Sequence, residues 1–145
     1  MNRREILAVV VIIIILALVL FPSSSGHWDQ ISPGPGLIDL QKTLLKSAAD
    51  HHPLLKSQMK ELAKPLETKF SPRYRFNFLG TEENWTLVVA HDDSEFYNQS
   101  GFTLFWHRLN YHPRSVYILS STDNSLTIVS PRGIAERLNE KDLQP

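Results

Sequence analysis

No cysteine occurs among the 145 residues. That absence excludes a disulfide framework, a thiolate metal site and a covalently attached c-type haem. It accords with an oxidising compartment without requiring one. Net charge is missing too, since fifteen Lys plus Arg stand against fifteen Asp plus Glu. A neutral chain has no long-range field to gather a polyanion, so no nucleic-acid partner is expected. The glycine patterns that cradle phosphates or dinucleotides are absent. So is the Gly-x-Ser-x-Gly nucleophile turn, because Ser100-Gly101 lacks the first glycine. Neither a cofactor nor an enzymatic activity is expected.

What the chain does have is one long apolar run. Ile6 to Phe21 is uninterrupted, with Met1-Asn2-Arg3-Arg4-Glu5 before it and Pro22 after it. A helix over this run rises about 24 Å, short of a ~30 Å hydrocarbon core but within reach of snorkelling or bilayer thinning. The run predicts a single transmembrane helix, a signal anchor over residues 1–21, with Ile6, Val10, Ile14, Leu18 and Phe21 meeting lipid. Arg3 and Arg4 precede it and the next basic residue is Lys42. That asymmetry predicts a cytoplasmic N-terminus and an extracytoplasmic domain, periplasmic in a bacterium. The alternative is a signal peptide cleaved after the small residues Ser23 and Ser25.

Without the run, the apolar fraction falls well below the ~45–50% usual for globular domains. A core of that size is thin and is expected to lean on a partner or the bilayer. Residues 22–36 are rich in Pro, Gly and Ser and read as a linker. From Leu37 the spacing becomes helical, with Leu37, Leu40, Leu44, Leu45 and Ala48 on one face. A second apolar stripe, Leu54, Leu55, Met59 and Leu62, follows Pro53 and ends at Pro65. Lys42, Lys46, Lys56, Lys60 and Lys64 fall opposite these stripes.

Alternation then predicts strands at Tyr74–Leu79, Trp85–His91, Phe102–Leu109, Val116–Ser120 and Leu126–Ser130. Ser130-Pro131 has the chemistry of an N-cap followed by a first helical residue, so a short closing helix is expected. The fold class is therefore α+β: helices packed on a roughly five-stranded, mainly antiparallel sheet, formed by residues 37–145.

Three constellations are candidates for function. His91, Asp93 and His107 could meet across neighbouring strands as a metal or catalytic set, although none has helical ligand spacing. A pocket between helices and sheet, lined by Trp85 or Trp106, would suit a sensor or ligand-binding head. A lysine face at Lys56, Lys60 and Lys64, with the aromatics Trp106 and Tyr111, would suit protein docking. Charge is also divided: residues 37–75 carry eight basic and four acidic groups, whereas residues 80–100 carry five acidic groups and no basic one. These segments either face each other, or are ordinary solvated faces, or form a docking surface. With an anchor, a thin core and no catalytic signature, the expected function is that of a non-catalytic accessory, assembly or structural subunit, partnered by other subunits of a membrane complex.

Overall fold

The computed structural model describes residues 2–20, 32–94, 98, 101–111 and 113–138, with side chains left out at 17–20, 103, 107 and 110. The elements are α1 (Arg3–Leu20), α2 (Gly34–Ala49), α3 (Lys56–Phe70), β1 (Tyr74–Gly80), β2 (Trp85–His91), α4 (Gly101–Asn110), β3 (Val116–Ser120), β4 (Ser125–Val129) and β5 (Ala135–Leu138). They divide into two compact units. One holds residues 1–32 and 96–112, the other residues 33–95 and 113–145.

The second unit is an α+β layer structure. Its five strands run antiparallel in the order β1-β2-β3-β4-β5. Period-two alternation explains which sheet face is covered. Tyr74, Phe76, Trp85, Leu87, Val89, Tyr117, Leu119 and Leu126 point to one side and are buried. The helices cover that side. Leu37, Leu40 and Leu44 of α2 and Met59, Ala63 and Phe70 of α3 enter the same core. Trp85 is its centre: its indole N–H donates to the Leu54 carbonyl at 2.9 Å, and its backbone N–H donates to Ser121 Oγ at 2.8 Å. Gln41 is also buried, and its amide donates to the carbonyls of Leu138 and Asn124 at 3.0 and 3.2 Å. One polar side chain thus ties α2 to the last described strand.

Helix α3 departs from the expected stripe at both ends. It begins at Lys56 rather than Pro53, so Leu54 and Leu55 precede it, and it continues through Pro65 to Phe70. A mid-helix proline forfeits one backbone bond. Met59, Ala63, Leu66 and Phe70 supply the compensating apolar stripe, while Leu55 and Leu62 are exposed. The β1–β2 turn caps the helix: Lys56 N–H donates to the Glu82 carbonyl and Ser57 N–H to a Glu82 carboxylate oxygen. The Ser57 bond foremost, with the nearby Lys56 and Lys60 charges, holds the Glu82 carboxyl below its ordinary pKa.

Three expectations are corrected. The first is the membrane span. Among the described residues no helix is long and apolar enough to cross a membrane. Helix α1 begins on Arg3, and its first turn carries Arg4 and Glu5. The apolar remainder to Leu20 rises only about 22 Å against a ~30 Å hydrocarbon core. Ile6, Val10 and Ile14 lie exposed on this helix, the Leu18 side chain is outside the described ones, and Phe21 is outside the described residues. The single-pass topology, with its cytoplasmic N-terminus and extracytoplasmic domain, falls with the span.

Second, Phe102–Leu109 is no strand but the body of α4. Third, the closing helix is instead β5, paired with β4 through Val129↔Ala135 and Leu126↔Leu138. Ser130 still caps, but it caps a turn, its hydroxyl accepting from the Ile134 N–H at 3.2 Å. Gly133, at φ +77°, makes the reversal.

Candidate functional site

His91 and Asp93 lie at the end of β2, where their side chains meet at 2.6 Å between Nδ1 and Oδ1. The Tyr74 ring stands edge-on to the imidazole at 5.4 Å. Burial pushes the Tyr74 hydroxyl pKa up, opposed by the Arg114 guanidinium. An Asp–His pair fixes an imidazole tautomer, which is the supporting half of a general base. The other half would be a nucleophile, and no described side chain other than Asp93 hydrogen-bonds to His91. The His107 side chain lies outside the described ones. Its backbone lies in α4 and not on a strand beside β2, so the strand-to-strand geometry expected of this trio is not formed. Among the described residues no three His, Asp or Glu side chains gather to hold a metal ion.

Beside this pair, Arg75 Nε and Asp92 Oδ2 form an ion pair at 2.6 Å. The Ser94 N–H donates to the other Asp92 oxygen at 3.0 Å. These bonds, the backbone one foremost, hold the Asp92 carboxyl down at about 2. Together with the Glu82 cap on α3, this pair shows the basic and acidic halves of the chain meeting at two places.

The expected tryptophan-lined pocket does not form at Trp85, which is 1% exposed and fills the core. The concavity lies instead beside the outer strand β1. An open groove of about 600 Å³ is lined by Lys60, Lys64, Glu61 and Glu67 of α3, by Phe76 to Leu79 of β1, and by Val88. The Lys60 ammonium sits 5.8 Å over the Phe78 ring. Lys56 Nζ donates to the Gly80 carbonyl at 2.7 Å. The three lysines of the expected docking face are therefore divided: Lys60 and Lys64 border the groove, while Lys56 ties helix to strand.

The aromatic candidates sit on α4, in the other unit. Phe102, Phe105, Trp106 and Leu109 recur at i, i+3, i+4 and i+7, which puts them on one helix face. Phe102 is 76% exposed, Phe105 56% and Leu109 45%. Trp106 stacks on Phe102 with centroids 6.3 Å apart, and Phe105 is tilted against Phe102 at 6.4 Å. Tyr111, half-buried, follows the helix end. Reading the segment as a strand hid this stripe; the same residues read at helical spacing reveal it. No protein-family model, curated protein or solved structure matches the chain.

Proposed function

We propose that this chain is a non-catalytic accessory or structural subunit that works by binding another protein through α4. One observation carries the reading: a helix face of Phe102, Phe105 and Leu109 that is largely exposed. Large aromatic side chains left outside a core mark an interaction surface. Aromatic residues also dominate the energetics of protein interfaces. The i, i+3, i+7 spacing suits insertion into an apolar groove of the partner.

The test uses the full chain and a variant with Phe102→Ser and Phe105→Ser, each expressed in the source cells and gently crosslinked before purification. The parent is expected to recover a defined set of partner chains. The variant is expected to lose that set while its circular dichroism stays unchanged. A parent that purifies alone after crosslinking overturns the reading, and so does a variant that keeps the same partners.

A further inference from the structure

We infer that α1 is a lipid-binding element that lies submerged in one leaflet of a phospholipid bilayer without crossing it. The inference concerns a different surface from the α4 stripe and does not rest on it.

Ile6 to Leu16 are eleven consecutive aliphatic residues, about three helical turns. They therefore point in every direction around the helix axis. Each of the ten large ones is between 43 and 68% exposed, and Ala8 is exposed as well. No side of this stretch is buried and none is polar. A helix that is hydrophobic all round is stable only where apolar matter surrounds it. A partner's groove covers one side of a helix and leaves the other in water. A bundle of like helices buries an inward seam and leaves the outward sides wet. Hydrocarbon closes on every side at once, so the even exposure of α1 selects lipid as the occupant.

Burial in lipid does not require crossing. A helix ~10 Å wide fits within one leaflet, which is about 15 Å deep, half of the ~30 Å hydrocarbon core. Lying flat keeps both helix ends at the headgroups. The backbone demands this, because the last carbonyls of a helix have no partner inside hydrocarbon. The first turn is already closed. Asn2 N–H donates to a Glu5 carboxylate oxygen at 2.8 Å, and the N–H groups of Glu5 and Ile6 donate to the Asn2 carbonyl at 2.9 and 3.0 Å. Its polar groups are thus satisfied before the apolar run begins. Arg3 and Arg4 are exposed at this end. A guanidinium matches the oxygens of a phosphate, and the two outnumber Glu5 by one. Anionic phospholipid is therefore the preferred surface. At the other end of the run the sequence turns polar, with Ser23, Ser24 and Ser25 after Pro22.

The experiment is flotation of the full chain with sealed phospholipid vesicles and no other protein present. One set is phosphatidylcholine alone, and the other carries about 30% phosphatidylglycerol. Most of the parent is expected to rise with the mixed vesicles. Val10→Asp with Ile12→Asp places charges about 200° apart around the helix, so no rotation brings both to the headgroups. This variant is expected to bind at least ~10-fold more weakly, with the urea midpoint of the sheet unit unchanged. Arg3→Gln with Arg4→Gln is expected to weaken binding about 10-fold on the mixed vesicles only. Phe102→Ser with Phe105→Ser is expected to float like the parent. Because the chain has no cysteine, Asn2→Cys and Asp50→Cys each offer a single thiol. A membrane-impermeant maleimide added outside the vesicles is expected to label both. A parent that stays at the bottom with both vesicle sets overturns the inference. So does a Val10→Asp, Ile12→Asp variant that floats like the parent, an arginine change felt equally on both sets, or binding lost on changing α4 alone. A thiol at position 2 that is shielded while the one at position 50 is labelled reveals a crossing helix and overturns it as well.

Discussion

Leu44 and Leu55 look alike in sequence, each a leucine on an apolar stripe, and the structure separates them. Leu44 is 2% exposed in the core, whereas Leu55 is 38% exposed ahead of α3. Leu44→Ala removes three buried carbon groups, worth about 2.4 kcal/mol at ~0.8 kcal/mol each. The cavity left between α2 and the sheet adds to this, giving ~3 kcal/mol within the ~2–5 kcal/mol range of such changes. Leu55→Ala removes contacts that water largely replaces, and its cost is expected below ~1 kcal/mol. The assay is urea unfolding followed by tryptophan emission, with Trp28 and Trp106 changed to Phe so that buried Trp85 reports alone. At a slope of ~1.5 kcal/mol per molar urea, Leu44→Ala should lower the midpoint by about 2 M and Leu55→Ala by less than about 0.7 M. Equal shifts for the two would refute the burial assignment. A Leu44→Ala midpoint within about 0.3 M of the parent would show that α2 does not depend on this side chain for its packing.

Two further expectations concern the sheet. Gly80 sits at φ +88°, and a Cβ there would lie 2.2 Å from the Asn84 carbonyl oxygen, whereas Gly133 sits at φ +77° with nothing within 4 Å. Gly133→Ala should therefore cost only the left-handed penalty of ~1–2 kcal/mol. Gly80→Ala should cost clearly more, because the clash is with backbone; thermal melts giving equal losses would refute the comparison. Asp92 supplies the pH-dependent expectation. Its folded carboxyl is held at about 2, against an ordinary 3.8. A lowered carboxylate pKa gives stability that is complete above the unfolded value and lost as pH falls through the folded one. The stability gap between the parent and Asp92→Asn should be steady near pH 6, shrink below about pH 4 and be nearly closed by about pH 2. A gap that is constant down to pH 2, measured by urea unfolding, would exclude this role for the pair with Arg75.

The strands β1, β2 and β3 were legible because alternation and burial coincide. Trp85, Leu87 and Val89 are buried and Thr86, Val88 and Ala90 are half-buried, as period two requires. α4 was misread because Phe102, Leu104 and Trp106 alternate as well, and aromatic residues favour strands. The helical set Phe102, Phe105, Trp106 and Leu109 was present in the same ten residues, and single-sequence periodicity does not separate the two over so short a run. β5 failed for another reason. Ala135-Glu136-Arg137-Leu138 is composed of good helix formers, and pairing with β4 overrides that preference. Ser130-Pro131 misled because the hydroxyl that caps a helix also caps a turn. Gln41 could not have been found at all: its burial depends on the Asn124 and Leu138 carbonyls, 83 and 97 residues away.

The lysine row shows how far spacing alone can reach toward a site. Positions 56, 60 and 64 are four apart, so the sequence correctly puts them on one side of a helix. It does not say which element that side overlooks. Lys56 is spent on the Gly80 carbonyl, and Lys60 lies over an aromatic ring at the end of the sheet. Read as a positive face, the row predicts an acidic partner; with Glu61 and Glu67 lining the same groove, its charge is mixed. Which element it overlooks rests on strand order. β1 is an edge only because β3, β4 and β5 continue the sheet on the far side of β2. Had β5 been the expected helix, the sheet would still have ended at β1, but had Phe102–Leu109 been a strand, β1 could have been an inner one, with its Phe76 and Phe78 groups already paired. The helical state of α4 therefore bears on two surfaces: it exposes the aromatic stripe on its own unit, and it removes from the sheet the one segment whose strand reading left the edge undetermined.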